Sequence, residues 1–276
     1  MAPISHIVHP TDFSDASRAA FVHALRIAIK AKATLTILHV AASHENDEWE
    51  QLPPMRQLLA DWGMLSPHDP ASAVLEKLGL QVRRVEMEPQ SPTSGVMDYL
   101  SRHAADLIVL ATEGRQGVAR WLRGSVAERL ARESHSPTLF VPAKARGFID
   151  ARRGEVHLKR VLIPVDHDPP PAAPLARIMA FAQLVAGMEA EELLLHVGGT
   201  APIIAPMAGH RRHVPVAVQP GDAIEAIVAA ANDWSADLIG MPTAGHHGFL
   251  DVLRGSTTER VLRQAPCPLL AMPVPR

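Results

Sequence analysis

Residues 105–142 read ADLIVLATEGRQGVARWLRGSVAERLARESHSPTLFVP, and residues 236–273 read ADLIGMPTAGHHGFLDVLRGSTTERVLRQAPCPLLAMP. From Asp106 to Gly124 and from Asp237 to Gly255 the two stretches stay in step at a constant offset of 131 positions. Each opens with Ala-Asp and an apolar run, crosses a Gly-containing loop, reaches Arg-Gly-Ser before Glu-Arg, and closes on an apolar run between prolines. Asp106–Ala111 and Asp237–Met241 read as buried strands, since short apolar runs bounded by turn residues are the pattern of a strand covered on both faces. Ser125–Glu133 carries Val126, Leu130 and Ala131 at helical spacing and reads as a helix; Ser256–Gln264 follows suit. Thr138–Val141 and Leu269–Met272 read as final strands. A strand, a loop, a helix and a strand therefore occur twice, in one order.

The repetition extends upstream. ISHIVHPTDFS at 4–14 returns as LKRVLIPVDHD at 158–168, and Leu-His-Val at 38–40 returns at 195–197. From Asp12 to Asp166 the offset is 154, so the second copy is shorter between its early and late motifs. The extra residues of the first copy follow Val40. Blocks of this length are duplicated domains rather than small stacking units. The predicted domains are 1–143 and 156–276, with a charged, Gly-containing join near Lys144–Glu155. Within the first, Ile4–His9 reads as a strand stopped by Pro10. Ser14 and Asp15 read as a helix start, Thr34–Val40 as a second strand and Gln81–Met87 as a weaker third. Strands alternating with helices imply an α/β fold: two tandem domains, each a five-stranded parallel sheet of Rossmann-like type. In such sheets ligands sit beyond the carboxyl ends of the strands, where the strand order reverses.

Composition narrows the function classes. The chain has 276 residues, 47% hydrophobic and 20% charged, which is enough apolar material for a core and argues against disorder. Lys+Arg 27 against Asp+Glu 29 leaves a formal charge of −2, with no overall field to hold a polyanion, so no nucleic-acid partner is expected. Aromatic residues are 4%, too few for a base-stacking platform. One cysteine, Cys267, excludes an internal disulfide framework and a Cys-rich zinc site, and reads as a small buried residue rather than a nucleophile. No apolar run approaches the ~20 residues that span a bilayer, and the N-terminus shows no basic start followed by an apolar run. A cytoplasmic protein without a membrane partner is the expectation. Fifteen histidines invite a metal reading, with His210, His213, His246 and His247 in the second copy, and His9, His39 and His196 at strand ends. No His-Glu-x-x-His or close ligand triad stands in the sequence, so no metal ligand is assigned. No Gly-x-Ser-x-Gly elbow and no Walker-type Gly-Lys-Ser/Thr occurs, so no catalytic residue is assigned either.

The Gly-rich loops carry the chemistry. Gly124-Ser125 and Gly255-Ser256 stand directly before predicted helices, where unpaired N–H groups and the partial positive charge of the helix start favour an anion, and glycine lets a phosphate approach the backbone. Ser125 can donate to the same phosphate or cap the helix. Nine residues separate Gly114 from Gly124, and nine separate Gly245 from Gly255. Arg115, Arg120 and Arg123 are candidates to neutralise phosphate.

With strand-Pro-x-Asp, the Leu-His-Val strand and the loop ending in Gly-Ser before Glu-Arg, the chain resembles the universal stress protein family over nearly its whole length, as a tandem of two such domains. That resemblance implies a five-stranded parallel α/β fold. It implies a cofactor, ATP or a related adenine nucleotide such as AMP, with Mg2+ accompanying the nucleotide. It also implies a pseudo-dimer within the chain paired through the last strands, with a homodimer and a protein partner as further options. In the first copy the implied contacts are Pro10, Thr11, Asp12, Val40, Ala111, Gly114, Gly124, Ser125 and Val126. In the second they are Asp166, Gly245, Gly255, Ser256 and Thr257. The family's first loop glycine is replaced by Ala111 in one copy and Pro242 in the other. Alanine keeps its N–H, whereas proline removes it and fixes φ. His-Asp-Pro-Pro-Pro after Asp166 departs further from the pattern. The first copy is thus the better candidate for stress-related nucleotide binding with little or no turnover, at most a slow ATPase. The alternative is a nucleotide-free tandem stress protein that acts through protein–protein interaction.

Overall fold

The computed structural model describes residues 3–40, 46–88, 92–112, 136–188, 190–204, 215–243 and 257–274. Its contacts divide into two compact units. The first is Ala2–Ser136 with Ile149–Val156; the second is Pro137–Phe148 with His157–Arg276.

In the first unit, β1 (His6–Thr11) leads into α1 (Asp15–Ala31), β2 (Thr34–Val40), α2 (Met55–Asp61), α3 (Ala73–Leu78), β3 (Gln81–Met87), α4 (Pro92–Arg102) and β4 (Leu107–Ala111). The sheet order is β3-β2-β1-β4, and every pairing is parallel. Ser14 caps α1 by accepting from Ser17 N, and Asp15 lies in the positive first turn, as their types require. Phe21, Leu25 and Ala28 on the helix face toward the sheet are buried, each large side chain worth about 1.5–3 kcal/mol. β4 is buried at all five positions, the burial of a strand covered on both faces. β3 is the edge, and exposed Arg83, Arg84 and Glu86 blunt pairing with another chain. β1 differs from its sequence reading by running through Pro10, which pairs in register with Leu38. Proline's fixed φ lies within the extended range, and one missing N–H removes only one ladder bond.

In the second unit, β5 (Thr138–Val141) precedes β6 (Arg160–Pro164), α5 (Ala172–Ala186), β7 (Glu191–Val197), β8 (Val216–Gln219), α6 (Ala223–Asp233), β9 (Leu238–Thr243), α7 (Thr257–Gln264) and β10 (Leu269–Pro273). The order is β5-β10-β9-β6-β7-β8. β10, β9, β6, β7 and β8 form a five-stranded parallel sheet that runs through its strands as the first unit runs through its four. β5 joins it antiparallel, with Leu139 opposite Leu270 and Phe140 opposite Leu269. The fold is thus α/β with mostly parallel sheets in tandem. Asp222 caps α6 through Ile224 N and Glu225 N.

The sequence boundary and the contacts divide the chain differently. β5 belongs by pairing with the second unit. The charged join divides: Lys144–Phe148 belongs with the second unit, whereas its latter part, Ile149–Val156, is bridged antiparallel between Ile149 and Val156 and packs with the first. There Trp62 Nε1 donates to Ala151 O at 3.0 Å and Arg26 Nε to Gly154 O at 2.7 Å. Gly154 has φ +64, and a Cβ there would lie 2.4 Å from Trp62 Cδ2. Gly63, at φ +68, has open space around its missing Cβ. Gly63→Ala carries only left-handed backbone strain, about 1–2 kcal/mol. Gly154→Ala adds displacement of the indole and is expected to cost about 2–4 kcal/mol in all. Urea unfolding of the two variants checks the order; equal losses would show that the Trp62 contact does not hold the segment.

Candidate functional site

The strand order reverses at β1 in the first unit and at β6 in the second: β1 lies between β2 and β4, and β6 between β7 and β9. Two aspartates of the repeated Ala-Asp-Leu-Ile motif hold that junction from the amino ends. Asp106 Oδ2 accepts from Ser5 N at 2.9 Å, Ser5 Oγ at 2.7 Å and His6 N at 2.9 Å. Asp237 Oδ2 accepts from Lys159 N at 2.8 Å and Arg160 N at 3.0 Å. Partial burial pushes the Asp106 carboxyl up, but the hydrogen bonds from Ser5 and His6 outweigh it and hold the group below the ordinary carboxylate range.

At the opposite, carboxyl end of β1 lie Pro10, Thr11 and Asp12, with Val40 ending β2 and Ala111 ending β4. The sequence candidates of the first copy that the structure describes therefore meet at one sheet end. Thr11 Oγ1 is spent internally, 2.7 Å from Ser17 Oγ and accepting from Phe13 N at 3.1 Å. Asp12 Oδ1 accepts from Ser14 N at 3.1 Å and Ser14 Oγ at 2.6 Å. Asp12 thus orders the turn while Ser14 caps the helix, and its half-buried carboxylate is held at the crevice. Phe13 between them takes φ 59, uncommon for an aromatic residue, and is 1% exposed. Its ring centroid lies 4.3 Å from that of His39 and 5.2 Å from that of Trp49. Trp49 comes from the extra segment of the first copy, in a 3-10 turn at Asn46–Gln51. Its Nε1 donates to Glu86 Oε2 at 3.3 Å, and Arg84 stacks over its ring at 5.4 Å. This aromatic group was not read from the sequence; the signal was Trp49, in an insertion without a counterpart in the second copy.

The strand-end histidines serve the backbone. His9 Nδ1 donates to Val109 O at 2.9 Å, His39 Nδ1 to Thr11 O at 2.9 Å and His196 Nδ1 to Val165 O at 3.0 Å. His39 and His196 are equivalent positions doing equivalent work, each tying a second strand to the end of a first. Burial pushes His9 down to about 4, against the opposing effect of Val109 O. His23, inside α1 and bonded to Ala19 O, is pushed down to about 4 for the same reason. Cys267 is fully buried and its thiol is pushed up to about 12, mainly by burial, so no thiolate is available near neutrality.

In the second copy Asp166 is exposed at the end of β6, and its Oδ1 accepts from His167 N at 2.7 Å. One ligand atom from each of Asp166, His167 and His196 lies within 4.8 Å of the other two. Sequence spacing assigned no metal ligand here, because Asp166 and His196 are 30 positions apart and meet only through the parallel β6–β7 pairing. Thr257 opens α7, half-buried. Gly114, Gly124, Ser125, Val126, Gly245, Gly255 and Ser256 lie outside the described residues. So do Arg115, Arg120, Arg123, His210, His213, His246 and His247.

Two α/β units that share a parallel strand order, each with an aspartate beyond the strand where that order reverses, define a tandem of the open parallel-sheet class. The model of the universal stress protein family matches residues 3–142 and again 160–273, and the chain belongs to that family. It is 32% identical over 141 residues to a universal stress protein of Methanocaldococcus jannaschii, covering 49% of this chain and 80% of that one. A universal stress protein of Archaeoglobus fulgidus has a similar structure, with TM-score 0.60, 18% identity and coverage of 96% of this chain and 95% of the other. A functionally unknown protein of Pseudomonas aeruginosa gives TM-score 0.62 at 15% identity, covering 98% and 92%. At these identities the structural likeness establishes the fold. No helix among the described residues is long and apolar enough to cross a membrane.

The buried histidines set a pH dependence. Their folded values near 4 lie below the unfolded value of 6.5, so between those limits the unfolded chain binds protons that the folded chain refuses. Stability is complete above pH 6.5 and falls as the pH drops toward 4, by up to about 1.4 kcal/mol per pH unit for each histidine. Unfolding free energies measured from pH 7 to 5 are expected to show this slope, and His9→Gln to flatten it. An unchanged slope in the variant would show that His9 titrates normally.

Proposed function

We propose that this chain is a stress-related cytoplasmic protein whose first unit binds ATP or a related adenine nucleotide, with Mg2+ accompanying it, and turns it over slowly or not at all. The observation that carries this reading is the meeting of Pro10–Asp12 with Ala111 at the carboxyl ends of β1 and β4, where the strand order reverses. Open α/β sheets place ligands at that crevice. Asp12 offers a carboxylate already fixed by Ser14. Immediately beyond β4 the sequence continues into the loop with Gly114, Gly124 and Ser125, whose residue types accept phosphate. Val40 and Val126 would line the same site. In the second unit, Pro242 lies within β9 where the motif wants a flexible N–H donor, which supports ranking Asp166, Gly245, Gly255, Ser256 and Thr257 below the first set.

Low turnover follows from the residue types. N–H groups and a hydroxyl bind ground state and transition state alike, which by itself accelerates little. The sequence carries no motif that assigns a general base or a metal clamp. Steady-state hydrolysis with Mg2+ is expected well below ~1 per second.

The second reading, a nucleotide-free protein acting on a protein partner or a second copy of itself, is favoured by Ala111 and Pro242, which stand where the family's loop has its first glycine. Calorimetric titration of the whole chain with ATP and with AMP separates the two. Binding is expected, with Gly124→Asp weakening it at least about tenfold by charge and bulk, and Gly255→Asp leaving it nearly unchanged. Absence of binding to either nucleotide favours the interaction reading; equal loss in both variants overturns the ranking of the units.

A further inference from the structure

We propose that Asp166, His167 and His196 form a divalent transition-metal site in the second unit, of two imidazoles and one carboxylate, suited to Zn2+. This site does not rest on nucleotide binding. Three observations carry it. A side-chain donor atom of each residue lies within 4.8 Å of one on each of the other two, with Asp166 Oδ1 3.8 Å from His196 Nδ1. Both imidazoles are anchored by the nitrogen a metal would not use: His196 Nδ1 faces Val165 O at 3.0 Å, and His167 Nε2 faces Thr200 O at 2.9 Å. A carbonyl only accepts, so those nitrogens carry the protons, and His196 Nε2 and His167 Nδ1 keep their lone pairs. Metal-bound histidines are fixed in this way, by a carbonyl on the far nitrogen that sets tautomer and ring orientation. Finally, a Cβ at Gly198 would lie 2.9 Å from His196 Nε2, so glycine there leaves the lone pair uncrowded.

The internal repeat supplies the contrast. Asp12, Phe13 and His39 occupy the matching positions of the first unit. There a buried phenyl ring stacks at 4.3 Å on His39, and apolar packing replaces the third donor. In the second unit the corresponding ring is an exposed imidazole, 5.7 Å from that of His196. Ligands of tetrahedral Zn2+, at about 2.0–2.2 Å from the ion, stand about 3.3–3.5 Å apart. Asp166 Oδ1, 3.8 Å from His196 Nδ1, must therefore turn toward Nε2 for the three donors to reach one ion. Asp166, with its side chain 66% exposed, is free to turn toward the two imidazoles, which are held by Thr200 O and Val165 O. Two nitrogens and one carboxylate oxygen favour a borderline ion such as Zn2+ over Mg2+ or Ca2+, and three protein ligands leave a position for water or an anion.

The test is competition of the full-length, nucleotide-free protein against a chromophoric chelator for Zn2+, with the thermal midpoint followed with and without the ion. One strong Zn2+ per chain is expected, raising the midpoint. His167→Ala and Asp166→Asn, both at exposed positions, are expected to weaken that binding at least about tenfold and to abolish the shift. Their circular dichroism should match the parent's. Co2+ should give d–d absorption of tetrahedral strength in the parent and not in His167→Ala. Zn2+ bound by both variants as tightly as by the parent would overturn the site and assign the ion to other histidines, such as His246 and His247. Absence of strong binding in the parent would overturn it outright.

Discussion

A single carboxylate at the foot of each fourth strand governs the geometry of this protein. β1 and β4 are neighbours in the sheet but about one hundred positions apart in sequence, and their register is what lines up their far ends. Asp106 fixes it by gathering the N–H groups of Ser5 and His6, while its own N–H donates to His6 O at 2.9 Å. Asp237 repeats the arrangement on Lys159 and Arg160 and is itself held by Arg146 at 3.0 Å. A charged acceptor with two or three donors is worth more than a neutral ladder bond, about 1.5–3 kcal/mol, and it cannot be satisfied in a slipped register. Everything at the carboxyl ends inherits its position from that clasp.

Much of the fold was legible because it is written twice. β2, β3 and β5 have the bounds their apolar and β-branched runs suggest, and α1 starts at the Ser14 cap. Two features escaped. Pro10 was read as a stop, yet β1 continues through it, since a long parallel pairing with β2 tolerates one lost donor. The segment after Val40 has no second copy to compare with, and its short helices Met55–Asp61 and Ala73–Leu78 are too brief for a periodicity to stand out. The site was legible to a similar degree. Asp12 and Ala111, named through the family resemblance, do lie at the carboxyl ends of β1 and β4. Phe13 as a buried wedge was not legible, because its left-handed backbone is a property of the turn rather than of the residue type. Nor was the convergence of Asp166, His167 and His196, for linear spacing cannot reveal neighbours made by parallel pairing.

The two units then illustrate how a duplicated scaffold separates its chemistry. The backbone work is preserved: His39 and His196 both close onto the end of the first strand, and both aspartate clasps remain. What changes is the turn beyond it. Phe-Ser in the first unit turns sharply and enters a capped helix, leaving a carboxylate and an aromatic cluster. His-Asp-Pro-Pro-Pro in the second delays its helix to Ala172, which begins without a side-chain cap, and leaves two imidazoles beside the carboxylate. Equivalent strand ends thus present different donor sets, set by the loops rather than by the sheet.

The most direct measurement of this division is native mass spectrometry of the intact chain equilibrated with ATP and Zn2+ together and separately. One nucleotide and one zinc ion per chain, each bound whether or not the other is present, is the result expected of units with different ligands. Two nucleotides per chain with no retained zinc would contradict it, for the units would then be chemically alike.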